Sequence, residues 1–224
     1  MDFLKKISKL IRGINSGVRI EEPKPFQKKY EVNSPTVWFT DSDIEQCLNA
    51  VAKLKIKHIH LQTTSTLEFL KDQRLQTVKG IDIQYPQKDI EPLLGLSRLT
   101  HLGLPDDIKG TFDFNLFPNL IYLAGQLPKK YVNFECLKNL RHAYLFGYRK
   151  KDFSDFSQFT NLKTLEIISA NIVDLKGISK LSSLSELILN KCPKLESLDG
   201  LSKEQGSLNK IMIENTKRLK DISP

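Results

Sequence analysis

The chain is poor in the residues that usually carry chemistry: three cysteines, two methionines, one tryptophan and four histidines in 224 residues. Cys47, Cys136 and Cys192 are odd in number and widely scattered. Their spacing encodes neither a disulfide framework nor a metal-binding pair, and they read as reduced structural thiols in a reducing compartment. No apolar run approaches the roughly 18 residues that a membrane-spanning helix requires. The start of the chain lacks the unbroken apolar stretch and small-residue cleavage site of a secretory signal, because Lys5, Lys6, Lys9 and Arg12 interrupt it. An Asn-x-Ser/Thr glycosylation acceptor is also missing. The expectation from these absences is a cytoplasmic protein.

Motifs of catalysis are missing too. The sequence has no Gly-x-Ser-x-Gly elbow, no glycine-rich phosphate loop ending in Lys-Ser/Thr, and no His-Glu-x-x-His. No catalytic residue, enzyme activity or cofactor is expected. The formal charge of +8 is unevenly spread. Residues 1–30 hold eight basic side chains against Asp2, Glu21 and Glu22, which is +5, leaving only +3 on the other 194 residues. A near-neutral body offers no general nucleic-acid surface, so no nucleic-acid partner is expected.

What the chain does have is a repeat. Leu162–Ile172 reads L-x-x-L-x-I-x-x-A-x-I. One position of that frame recurs at Val37, Ile59, Ile81, Leu102, Leu123, Ala143, Leu165, Leu187 and Ile211, in steps of 20 to 24 residues. Each unit offers a short alternating strand and then an apolar return, clearest in Leu175, Ile178, Leu181 and Leu184. No unit can bury its inner face alone, so neighbours must stack into a solenoid.

The pattern closely resembles the bacterial leucine-rich repeats of about 22 residues, the internalin-like kind. Asn171-Ile-Val-Asp-Leu175 and the following Ile-x-x-Leu-x-x-Leu match best, and the likeness spans roughly residues 36–224, weakening between Pro105 and Lys151. The usual ladder asparagine is replaced by Thr64, Pro86, Asp107, Pro128, Tyr148, Ala170, Cys192 and Thr216. The resemblance implies an α/β solenoid with a parallel sheet on its concave side. Internalin-like proteins are typically exported and wall-attached; this chain is read as a stand-alone cytosolic form.

Three parts are expected along the chain. Residues 1–17 form a basic amphipathic helix, with Phe3, Leu4, Ile7, Leu10, Ile11 and Ile14 on one face. Residues 18–35, which contain Pro23, Pro25 and Pro35, form an extended connector. Residues 36–224 form the solenoid, with 36–54 as its N-terminal cap: a strand at Thr36–Thr40, then a helix over about Asp43–Lys53 that Ser42 and Glu45 start as a capping box.

Between the apolar anchors, side chains point away from the core in columns. The first runs Thr36, His58, Gly80, His101, Tyr122, His142, Thr164, Glu186 and Lys210; the second runs Trp38, His60, Asp82, Gly103, Ala124, Tyr144, Glu166, Ile188 and Met212. A third contains Phe146 and Ile168, with Tyr85 and Tyr148 just beyond. Aromatics, histidine and glutamine supply rigid contact area with hydrogen bonds, the chemistry of a protein-binding face. The expected contact residues are Trp38, His58, His60, Tyr85, His101, Tyr122, His142, Tyr144, Phe146, Tyr148, Glu166 and Glu186. A partner should be acidic or polar opposite the His/Tyr end and basic opposite the Glu end.

A metal site among the four histidines is not expected. His101 lies two strands from His58, a step of about 9–10 Å, whereas zinc needs every ligand nitrogen near 2 Å. The function expected is a non-enzymatic scaffold that binds a protein partner. Small cytosolic repeat proteins of this look include some that resemble immunity proteins neutralising a cognate toxin. Two other readings stay open: an adaptor making weak contact with an anionic membrane through residues 3–14, and a delivered effector binding host proteins.

Overall fold

The computed structural model describes residues 18–87, 89–201 and 206–219. The helix expected over residues 1–17 lies outside them. The chain divides into two compact units, Met1–Ile108 and Lys109–Pro224.

In the first unit the strand order is β1-β2-β3-β4-β5: Arg19–Glu21, Thr36–Thr40, His58–Gln62, Gly80–Ile83 and His101–Leu104. The last four run parallel, and their pairing is the one the repeat implies: Val37 opposite Ile59, Ile59 opposite Ile81, Ile81 opposite Leu102. Alternation puts Val37, Phe39, Ile59, Leu61, Ile81, Ile83, Leu102 and Leu104 inside, all buried. The return after β2 is a full helix, Ile44–Leu54, burying Cys47, Leu48, Ala50 and Val51. Later returns tighten to the 3₁₀ turns Glu68–Lys71 and Gln73–Leu75 and the short helix Glu91–Leu94.

Two expectations are corrected here. Residues 18–35 are no mere extended connector. β1 pairs antiparallel with β2, covering its outer edge, and Pro25–Lys29 forms a helical turn. An open parallel edge presents unpaired amides, and a short antiparallel strand is a way to satisfy them. The capping box does not form either. The N-cap is Asp43, whose carboxylate turns back to accept from the Thr40 amide at 2.7 Å. Ser42 bonds Thr40 Oγ1, and Glu45 is drawn off to Arg74.

The missing ladder asparagines have substitutes. Gln87, buried one residue past the ladder position, donates Nε2 to the carbonyl oxygens of Thr63 and Tyr85 at 2.9 and 3.0 Å. Asp41 gathers the turn after β3, accepting from the hydroxyls of Thr63, Thr64 and Ser65 and from two of their backbone amides. The hydroxyls of Ser65 and Thr63 hold its carboxyl well below the usual range, against the opposing effect of desolvation.

In the second unit the parallel order is β7-β9-β10-β11-β12: Tyr122–Gln126, His142–Phe146, Thr164–Ile168, Glu186–Asn190 and Lys210–Glu214. A separate two-stranded parallel ladder joins β6, Thr111–Asp113, to β8, Lys130–Val132. This ladder occupies the stretch where the repeat weakens in sequence. The returns in and just after it use phenylalanine at several of the leucine or isoleucine positions. Phe153, Phe156 and Phe159 keep the three-residue spacing of Leu175, Ile178 and Leu181. Together with Phe112, Phe114, Phe117 and Phe134 they form a run of rings at most 4% exposed. Neighbouring centroids lie 4.8–5.9 Å apart, mostly tilted or edge-on, the arrangement that aromatic quadrupoles favour. At β12 the core-side position Ile211 remains 47% exposed. Among the described residues, no helix is long and apolar enough to cross a membrane.

Candidate functional site

The column registers read from the repeat hold in each unit: Trp38 opposite His60 and His60 opposite Asp82 in the first, Tyr144 opposite Glu166 and Glu166 opposite Ile188 in the second. What the columns expose differs from expectation, because several members are tied to one another.

In the first unit the second column is a row of side chains in mutual contact. β1 sets Arg19 opposite Trp38, with its guanidinium 3.7 Å from the ring centroid, a cation–π contact of about 0.5–1 kcal/mol at an exposed position. From β3, on the opposite edge of β2 from β1, His60 meets Trp38 with ring centroids 3.9 Å apart and the planes tilted by 36°. Arg19 also donates to Glu21 at 2.9 Å and holds its carboxyl below the ordinary value. His60 Nε2 bonds Gln84 Oε1 at 3.1 Å, and Gln62 donates to that same oxygen. Asp82 leans over Gly103, where a Cβ would collide with its carboxylate. Burial raises the Asp82 pKa, and His60 opposes the shift.

The first column is buried more deeply. Gly80 leaves room for the His58 ring to lie across it, so His58 and His101 meet edge to face with centroids 4.9 Å apart. The two strands stand two steps apart as expected, about 9–10 Å, but the missing Cβ lets the rings lean together across that step. His101 is 6% exposed, and Nε2 donates to the Tyr30 carbonyl at 2.8 Å. The segment expected to be a connector therefore rests on this column. Burial pushes His58 down to about 4, with the charges of His101 and Lys57 acting the same way. Burial also lowers His101, opposed by its bond to Tyr30 and by Glu31.

In the second unit His142 is 6% and Glu186 8% exposed, and Glu186 is ion-paired with Lys210. Tyr148 is corrected outright as a surface residue. At the ladder position it turns inward, stacks on Phe153 at 5.9 Å and donates to the Asp152 carbonyl at 3.1 Å. Tyr122 is half-buried, and Tyr85 is exposed on the loop after β4. The open part of this sheet lies across β9–β12. Tyr144 and Phe146 meet edge-on at 4.9 Å, and Phe146 and Met212 are 39% and 38% exposed. Glu166, Ile168 and Ile188 are half-buried beside them, with Asn190 and Glu214 completing the face. Ile168, Ile188 and Met212 were not among the expected contacts, although the alternation that placed Phe146 places them equally.

Nothing in these arrangements assembles a nucleophile with a base. Cys47 and Cys192 are buried, and burial raises both thiols above the ordinary cysteine value. Among the described residues, the one group of three possible metal ligands is Glu68, Asp89 and Glu91, all exposed, and Lys71 pairs with Glu68 there at 2.9 Å.

No protein-family model and no curated protein matches the sequence. Solved structures do. TLR13, in its complex with ssRNA13, is similar over 80% of this chain at 18% identity and a TM-score of 0.55, although this chain spans only 27% of that one. Internalin C2 from Listeria monocytogenes is similar over 84% of this chain and 83% of its own, at 19% identity and a TM-score of 0.52. At these identities the likeness concerns architecture. Together with the strand registers and short returns, it establishes the chain as an α/β leucine-rich-repeat solenoid built on a parallel sheet.

Proposed function

We propose that this protein is a non-enzymatic scaffold that holds a protein partner on its strand face, and that it acts by blocking that partner, as an immunity protein blocks a toxin. The observation that supports it is the open face of β9–β12. Phe146 and Met212 stand more than a third exposed among Tyr144, Ile168 and Ile188. Exposed aromatic and long apolar side chains cost solubility unless a partner covers them, and they are the residues that dominate interface energies. The first unit complements this, because its histidines and tryptophan are largely committed to one another and to the 18–35 segment. Blocking an enzyme requires only a large complementary surface, which suits a face with no assembled catalytic groups. Glu166 and Glu214 on the same face also oppose a phosphate backbone.

The test is affinity capture from the source organism with wild-type protein and a Tyr144→Ala/Phe146→Ala variant whose fold is checked by circular dichroism. One partner retained by the wild type and lost by the variant is the expected result. That partner, expressed alone, should arrest growth, and co-expression of this chain should restore it. Equal retention by both baits removes the strand face from the proposal, and a harmless partner removes the immunity role.

A further inference from the structure

We infer that the partner segment received by β9–β12 is a basic amphipathic helix, an inference that rests on the strand face being the binding surface. On a chain of formal charge +8, the second and third columns of these four strands contain two carboxylates, Glu166 and Glu214, and no cation. The remaining positions are aromatic, aliphatic or amide: Tyr144, Phe146, Ile168, Ile188, Asn190 and Met212. The face is therefore apolar with embedded negative charge, on a body whose charge is otherwise close to balanced, and the cation nearest to it in the first column, Lys210, is paired with Glu186.

Its dimensions select the occupant. Strands about 4.8 Å apart place Tyr144 and Met212, three strands distant, about 14 Å from each other, and the two columns are about 7 Å apart along each strand. That footprint matches about three turns of one helix, roughly 16 Å long and 10–12 Å across. An apolar stripe laid along Phe146, Ile168, Ile188 and Met212 covers their exposed surface. Lysine or arginine one turn away then reaches Glu166 on one side of the stripe and Glu214 on the other. Glu166 lies close enough to Tyr144 that its charge, after burial, helps raise the phenol's pKa. A guanidinium seated there meets a carboxylate and an aromatic ring together, which favours arginine at that position. An acidic helix of the same apolar pattern brings like charges together and is rejected.

The experiment uses the full chain and two synthetic amphipathic peptides with the same apolar stripe, one bearing lysine and arginine and one bearing glutamate. Binding is read by fluorescence anisotropy. The basic peptide should bind saturably, weaken severalfold between about 0.05 M and 0.5 M salt, and lose about five- to tenfold in affinity with Glu166→Gln or Glu214→Gln. The acidic peptide should not bind. Equal binding of both peptides, or glutamine variants that bind as the wild type does, overturns the charge assignment. If Tyr144→Ala/Phe146→Ala abolishes binding while the glutamine variants leave it intact, the face stands as a binding surface and only the basic helix is lost. If no variant alters binding, the face itself is refuted. A variant lacking residues 1–17 supplies a final arm: a large gain in peptide affinity on deletion would mean that the chain's own basic N-terminus is the occupant, which overturns a partner helix.

Discussion

Replacing Gly80 by alanine should destabilise the protein, although the same change in a strand interior ordinarily stabilises it by about 0.5–1 kcal/mol. The reason is the ring that lies across Gly80. A Cβ there would collide with Nδ1 of His58 and crowd the rest of the imidazole. The ring must swing away and give up its edge contact with His101, an interaction worth about 0.5–1.5 kcal/mol beyond area burial. Leaving a largely buried position adds lost packing, so Gly80→Ala should cost about 1 kcal/mol net, a fall in melting temperature of roughly 2–4 °C at this chain length. With His58→Ala already in place, no ring obstructs the new methyl group, and the second substitution should become neutral or stabilising. The coupling energy across the double-mutant cycle is then about 1–2 kcal/mol. Urea unfolding followed through Trp38, the sole tryptophan and a member of the same unit, reads it directly. An equal shift of the midpoint by Gly80→Ala in both backgrounds would refute the packing account of this glycine.

Two further outcomes follow from the same structure. His58 is held near 4 against an ordinary 6.5, so the unfolded chain binds the extra proton first; its contribution is complete above pH 6.5 and is lost as pH falls towards 4. That window is worth about 3 kcal/mol at 1.36 kcal/mol per pH unit. His58→Gln should make the stability profile shallower there, leaving the part owed to His101, which burial also lowers, and the loss at lower pH, where carboxylates such as Asp72, held at about 2 by Arg74, become protonated; a profile unchanged between pH 6.5 and 4 would falsify the assignment. In the second unit, Phe134 touches Phe114, Phe156 and Phe159 within 5.5 Å. Phe134→Ala should cost about 3–5 kcal/mol in denaturant unfolding measured by circular dichroism, and a loss under 1 kcal/mol would mean that the ring stack is not the core of its returns.

The period and alternation were legible because a strand's side-chain period is two and a buried face tolerates no slip. Val37, Ile59, Ile81 and Leu102, and Leu165, Leu187 and Ile211, stand in the register that their spacing implies. The weakened stretch 105–151 was harder to read because Phe114, Phe117 and Phe134 stand where the clearest repeat has isoleucine or leucine, which a leucine template undercounts, and because the second ladder of β6 and β8 is inserted there. Local polar chemistry was less legible. Ser42 and Glu45 have the spacing of a capping box, yet Asp43 is a competing oxygen one residue on and Arg74 a stronger partner for Glu45. The ladder bonds reappear on Gln87, one residue from the expected position, since any side-chain amide that reaches the carbonyls serves.

By itself the sequence determined the repeat, the strand registers and which side chains leave the core, because these follow from local periodicity and the need to bury apolar surface. Exposure within the columns was decided only in three dimensions. His101 looks outward by alternation, but a carbonyl 71 residues earlier in the chain closes over it. His58 reaches it across Gly80, and Tyr148 turns inward to the phenylalanine stack. Such contacts depend on which distant segment comes to rest on a face and how much room a neighbour's side chain leaves. Both are properties of the packed molecule, and neither is carried by the spacing of any one segment.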